Sequence, residues 1–378
     1  IRRHPVDPTK WQVRYVDPTG RERSKTFKRK TDAESFLIHV EAQKQRGEWV
    51  DPDRAATRLQ DWAERWLATR THLKPKTITG YESLLRTHIV PRFGTMRLDC
   101  IEALSIEAWM ADLQAAGLSS SRIRQAHQLL GALLKAAVHS RYLVRNPSEG
   151  TKPPRAKPRE KLFLEPHQID ALADAVADHY RTLIYLLGYG GLRWGEAVAL
   201  RRHRIDMLRG RIEISESLAE VGGKLIFGPT KNHRTRSIVV PIFLRDMLHQ
   251  HSLQYAKPAA DALVITTISG APVRNSNFSR RVWKPGLRAG GLPPGLRIHD
   301  LRHTAAALLI SRGAHPEAIK RHLGHSSIMV TMDTYGHLFP SETEALAHAL
   351  DALYIDSQTD NRRTKHGQGR SAEYGSQQ

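Results

Sequence analysis

Apolar and polar positions alternate over WQVRYVD, and RERSKTF returns as a second strand after the turn residues Asp17-Pro18-Thr19-Gly20. The period then changes. In DAESFLIHVEAQKQRG the apolar residues Ala33, Phe36, Leu37 and Val40 fall on one helical face. Residues 1–50 therefore predict a small sheet packed on one helix. From 57 to 145 the pattern is helical almost throughout. Leu59, Trp62, Ala63, Trp66 and Leu67 make a first stripe, and TITGYESLLRTHIVPRFG makes a second helix expected to stop at Pro91 and Gly94. SIEAWMADLQAAG closes on Gly117, and Ser119-Ser120-Ser121 offers a cap for RIRQAHQLLGALLKAAVHS, apolar at 129, 130, 133, 134, 137 and 138. Stripes of this kind are expected to form a bundle core, not a binding surface.

NPSEGTKPPRAKPRE (146–160) holds four prolines and four Lys/Arg and reads as an extended, basic interdomain linker. Helical patterns resume over 161–355 but give way between 205 and 240 to RIEIS, KLIF and RSIVVP. Those runs predict a three-stranded antiparallel meander inside a helical domain. SETEALAHALDALYI forms one amphipathic helix with Leu346, Ala349, Leu350 and Leu353 on a face, and the polar residues 356–378 are expected to be disordered. The fold class is thus multidomain and mainly α. It comprises a small sheet–helix domain (1–50), a helical domain (57–145), a basic linker (146–160) and an α-rich domain with a three-stranded sheet (161–355).

Composition narrows the partners. In 378 residues, 58 Lys+Arg stand against 38 Asp+Glu, a formal net charge of +20 that attracts polyanions, nucleic acid foremost. No run reaches the roughly 18 apolar residues that span a bilayer. IRRHPVDPTK lacks the apolar core of a secretion signal, so a cytoplasmic protein is expected. The single cysteine, Cys100, makes no internal disulfide and is expected to be a small buried or half-buried residue.

Four segments of the 161–355 region carry candidate chemistry. GYGGLRWGEAVAL places Arg193 after a glycine turn, with Glu196 three residues on as an ion-pair partner. GPTKNHRTRSIVVP places Lys231 between two strands. RIHDLRHTAAALLISRG puts Leu301, Ala305 and Leu308 on a buried helix face, with His299, Arg302 and His303 together on another. HLGHSSIMVTMDTYGHL carries His325 and Tyr335. The His299/His303 pair lacks the glutamate of a zinc-binding H-E-x-x-H helix, and no acidic cluster is placed to hold magnesium, so no metal is expected. His303, His322 and His337 are expected to pack near the site without a direct role.

In this order and spacing the four segments resemble the tyrosine recombinases, the phage-integrase family. Arg193 matches the first family arginine in its G-L-R-x-x-E setting. Lys231 matches the hairpin lysine, His299 and Arg302 the H-x-x-R pair, His325 of Leu323-Gly324-His325 the next histidine, and Tyr335 the nucleophile. The resemblance extends over residues 1–350 and implies an arm-type DNA-binding domain, a core-type (SAM-like) DNA-binding domain and a catalytic domain.

It further implies a site-specific DNA recombinase that integrates or excises phage or mobile-element DNA in a bacterial cytoplasm. Arg193 and Arg302 would fork onto the non-bridging oxygens of a phosphodiester, and His325 would add a hydrogen bond. Tyr335 would attack phosphorus with His299 as the preferred proton acceptor, and Lys231 would protonate the leaving 5′-oxygen. The 3′-phosphotyrosyl product keeps the bond energy, so neither metal nor ATP is expected. Expected partners are double-stranded attachment-site DNA, three further copies of the chain in a tetramer on that DNA, a DNA-bending protein and an excisionase. A type IB topoisomerase shares this chemistry, and a DNA-binding regulator without catalysis is the alternative from another class.

Overall fold

The computed structural model describes residues 1–155, 161–230, 234–339 and 350–355. Lys231, the segments 156–160 and 340–349, and the expected tail at 356–378 lie outside the described residues. The chain forms two compact units divided near residue 159.

The first unit begins with an antiparallel sheet of Arg2–Arg3, Trp11–Val16 and Glu22–Phe27, with Trp11 opposite Phe27 and Val16 opposite Glu22. Asp17 closes the hairpin because its carboxylate accepts from the Thr19 and Arg21 backbone N–H groups. Val13 and Tyr15 point to one side of the sheet and bury against Ala33 and Val40 of the helix Lys30–Gln45. Strand alternation and helical period thus meet in one small core, as the pattern predicts.

The helical part of this unit comprises Leu59–Ala68, a long helix from Pro75 to Phe93, Ala103–Ala115 and Ser120–His139. Its core is built from the predicted stripes, and the buried Trp62 indole donates to Leu133 O at 2.9 Å. The expected stop at Pro91 does not occur. A π turn over Leu85–Ile89, with Val90 N–H bonded to Leu85 O, carries the helix on to Phe93. Proline lacks the N–H of a regular turn and its ring collides with the carbonyl four residues back; a widened turn before it relieves both conflicts. The same device recurs in the second unit, where the π turn Ser279–Trp283 precedes Pro285.

Two further expectations change here. Cys100 is exposed, because in the tight turn Leu98–Cys100 the inward position goes to Leu98. The start of the expected linker is not free: Ser148 and Thr151 are buried, and His127 Nε2 lies 2.7 Å from Thr151 Oγ1. Asn146 organises that segment by accepting from Ser148 N.

The second unit packs its helices around Asp178–Gly188, where every residue from Thr182 to Gly188 is buried. Its three-stranded antiparallel sheet has the order Ile205–Asp206, Arg211–Ile214, Arg236–Val239. KLIF is not a member of it. That run pairs with Glu216–Val221 as a separate ribbon closed by Gly222-Gly223, both at positive φ. A two-residue glycine turn favours the local hairpin. Ile212, Ile214 and Ile238 are buried where Arg211–Ile214 pairs directly with Arg236–Val239.

Candidate active site

Five of the six candidate residues are described, and all five lie in the second unit. Arg193 caps the short helix Trp194–Ala197, and its guanidinium donates to Glu196 Oε1 at 2.8 Å and to Gly324 O at 3.2 Å. Arg302 and His299 come from the helix Ile298–Ser311, whose first turn is closed by Asp300 accepting from Arg297 N. His325 follows the helix Pro316–Leu323, which ends in the left-handed Gly324. Tyr335 closes the helix Ile328–Tyr335.

Arg302 is only 3% exposed. Its Nη1 donates to Gly191 O at 2.6 Å, and its Nη2 donates to Leu323 O. Burial, with the Arg193 charge beside it, pushes this guanidinium down to about 9, so it stays charged at neutral pH. The carbonyl that anchors it depends on Gly191. There φ is +65°, and an added Cβ would stand 2.8 Å from Leu323 Cδ2 and 3.3 Å from Ala305 Cβ. Gly191→Ala is expected to destabilise the protein by about 2–4 kcal/mol in urea titration. A change below about 0.5 kcal/mol, within the range of an innocuous surface substitution, would show that the close approach is not there.

Glu196 was expected to hold Arg193, and it does more. Nearly fully buried, it also takes two bonds from Arg236, at 3.0 and 2.7 Å, while Arg236 Nε donates to His322 O. Burial alone would push this carboxyl up, but the hydrogen bonds and charge of Arg236, with Arg193, hold it at about 2. A depressed carboxylate stabilises the fold above its unfolded value of 4.5 and loses that contribution as pH falls toward about 2. The size is about 3 kcal/mol. Glu196→Gln is therefore expected to be less stable by that amount at pH 7, with the gap closing in acid. Denaturation curves whose separation does not change with pH would refute it.

Tyr335 is 1% exposed and its phenol is pushed up to about 12 by burial, against the pull of Arg302. Its Oη lies 2.7 Å from Nδ1 of His303, not of His299. His299 sits behind, its ring edge against that of His303 at 5.0 Å, and is exposed to solvent. Burial and the Arg302 and Arg193 charges lower His325 to about 4, which leaves it neutral. Its ring stacks over Tyr335 at 6.3 Å, and its Nδ1 meets Thr331 Oγ1 at 2.8 Å. In the tautomer in which the Thr331 hydroxyl donates to Nδ1, the neutral ring carries its proton on Nε2 and presents it as a donor. A cleft of about 220 Å³ is lined by Arg193, Thr230, Arg234, Arg236, Lys320 and His325, among others. Thr230 Oγ1 donates to Arg234 O.

Sequence reasoning missed Arg236 and Lys161. Lys161 donates to Thr334 O at 2.8 Å and stands 5.8 Å from the Tyr335 ring centre. No motif marks either residue. His303 was visible beside Arg302 but was expected only to pack.

Comparison with known proteins places these observations. The profile of the phage integrase family matches residues 162–342, that of the phage integrase N-terminal SAM-like domain 58–114, and that of the phage integrase N-terminal domain 7–46. The integrase of Mycobacterium phage D29 is 28% identical over 357 residues, covering 90% of this chain and 94% of its own. The Tn1549 transposon integrase, solved with a circular intermediate DNA, aligns at TM-score 0.69 and 19% identity over 78% of this chain and 99% of that one. A lambda integrase tetramer bound to a Holliday junction aligns at TM-score 0.56 and 18% identity over 88% and 96%. At these identities the two solved structures speak for the fold.

Proposed function

This chain belongs to the phage integrase family and is a tyrosine-type site-specific DNA recombinase, and we propose that it cuts and rejoins DNA through Tyr335. The observation that carries the assignment is the convergence of Arg193, Arg302, His325 and Tyr335 in one unit, with Arg302 charged although buried. Transesterification at a phosphodiester places extra negative charge on the non-bridging oxygens. Two preorganised guanidiniums and a neutral histidine donor oppose that charge without reorganising. Tyr335 Oη attacks phosphorus, the bond to the 5′-oxygen breaks, and the 3′-phosphotyrosyl link forms. Lys231 is the proposed proton donor to the leaving oxygen. The reverse attack by a partner strand's 5′-hydroxyl reseals the DNA, with no metal or ATP in the reaction.

DNA is the partner, and the field of a +20 chain favours it. Beyond that, we assign a homotetramer on attachment-site DNA in a bacterial cytoplasm, assisted by a DNA-bending protein and an excisionase. Leu350 and Leu353, both 65% exposed on the helical residues 350–355, support docking of this helix on a neighbouring copy. Among the described residues no helix is long and apolar enough to cross a membrane.

The test is an incubation with EDTA, without ATP, using duplex from the flank of the protein's own gene nicked near the candidate crossover. The expected product is an SDS-resistant protein–DNA adduct whose modified peptide contains Tyr335. Tight binding with no adduct would instead support a DNA-binding regulator.

A further inference from the structure

We propose that His303, not His299, receives the proton of Tyr335 during strand cleavage. The inference rests on the recombinase reading and assigns one more residue to that site. The geometry is direct. His303 Nδ1 is 2.7 Å from Tyr335 Oη, with the rings edge to face at 5.7 Å. The hydroxyl is the donor in this pair, because a buried phenol far below its pKa carries its proton and a neutral imidazole offers a lone pair at Nδ1. His299, one turn earlier on the same helix, meets His303 rather than the phenol.

The surroundings keep His303 in the accepting form. Half-buried, it is held down to about 4 by burial first and then by His299, with Lys161 and Arg297 acting in the same sense and Asp300 opposing them. From the other elements it faces Tyr335 itself, His325 and the ammonium of Lys161. A base this weak does not deprotonate a resting phenol, which protects the nucleophile until DNA is bound. A phosphodiester seated between Arg193 and Arg302 adds negative charge close to His303 and raises its proton affinity. In the step, the Oη–H bond breaks and its proton goes to Nδ1 as Oη–P forms. The P–O5′ bond breaks with its electron pair passing to O5′, which takes a proton from the general acid. The imidazolium returns its proton when the reverse reaction expels Tyr335.

The experiment is single-turnover adduct formation on the same nicked duplex at saturating protein, over pH 6 to 9, for wild type, His303→Ala, His303→Asn and His299→Ala. His303→Asn keeps a polar group near the position of Nδ1 but cannot take a proton, and melting curves and gel shifts establish that each variant folds and binds. Both His303 variants are expected to form the Tyr335 adduct about a hundredfold more slowly at pH 7. Their rates should climb with hydroxide while the wild-type rate stays nearly flat. A structural role alone would lower the rate without changing its pH dependence. Wild-type rates for His303→Asn, or the hydroxide-dependent profile appearing in His299→Ala alone, would overturn the assignment and leave the recombinase reading intact. No adduct from the wild type overturns both.

Discussion

Tyr335→Phe is expected to abolish the covalent adduct, with a loss of roughly 10⁴–10⁶-fold in cleavage, while DNA binding persists. Phenylalanine keeps the ring that stacks on His325 and packs with Ala306, Ile310, Ile319 and Leu323, so only the hydroxyl disappears. The structural consequence is small: His303 Nδ1 loses its partner, a cost of about 1–2 kcal/mol. Gel shift and SDS-resistant adduct assays on one preparation separate the two effects. An adduct that survives in Tyr335→Phe would mean that another residue attacks.

Arg302→Lys is expected to slow cleavage by about 10²–10³-fold. The substitution preserves charge but not geometry. Two amino groups of Arg302 are held by Gly191 O and Leu323 O, which fixes the plane of the guanidinium. A lysine ammonium is a compact, strongly hydrated point charge and cannot reach both carbonyls and a phosphate together. Binding of the nicked duplex should change little, because the long-range attraction comes from the whole basic chain. Single-turnover kinetics at saturating protein isolate the chemical step, and a rate within about fivefold of wild type would remove Arg302 from the phosphate site.

Both effects depend on residues that were legible before any coordinates. Arg193, Arg302, His325 and Tyr335 are recognisable through the resemblance of their segments to the tyrosine recombinases, and the structure brings them into one unit. The contact of His303, and not His299, with the Tyr335 hydroxyl was not legible. His299 and His303 are neighbours on one helix, and their surroundings diverge because the rotation of that helix buries Arg302 and aims His303 at Tyr335. Helix rotation is set by packing, here including Thr304 accepting from Leu164 N across the unit. Arg236 escaped for a similar reason: its partner, Glu196, lies 40 residues away, and only burial makes the pair consequential.

The local departures have local causes that sequence patterns represent poorly. Pro91 signals a helix end, yet a π turn absorbs it. KLIF has strand character, but character does not choose a partner, and the Gly222-Gly223 turn does.

By itself, the sequence determined which segments are helix or strand, which faces are apolar and the polyanion-seeking charge, while the candidate site residues came from the resemblance of four segments to a known family. The elements and their apolar faces follow from periodicity and short spacings, which act within a few residues, and the charge follows from composition. Only the tertiary structure decided that Arg302 is sealed by carbonyls from residues 191 and 323, that Lys161 reaches the turn before Tyr335 over 173 residues, and that His303 faces the phenol. Such pairings, and the shifts in proton affinity they cause, arise from desolvation and from charges brought close by folding.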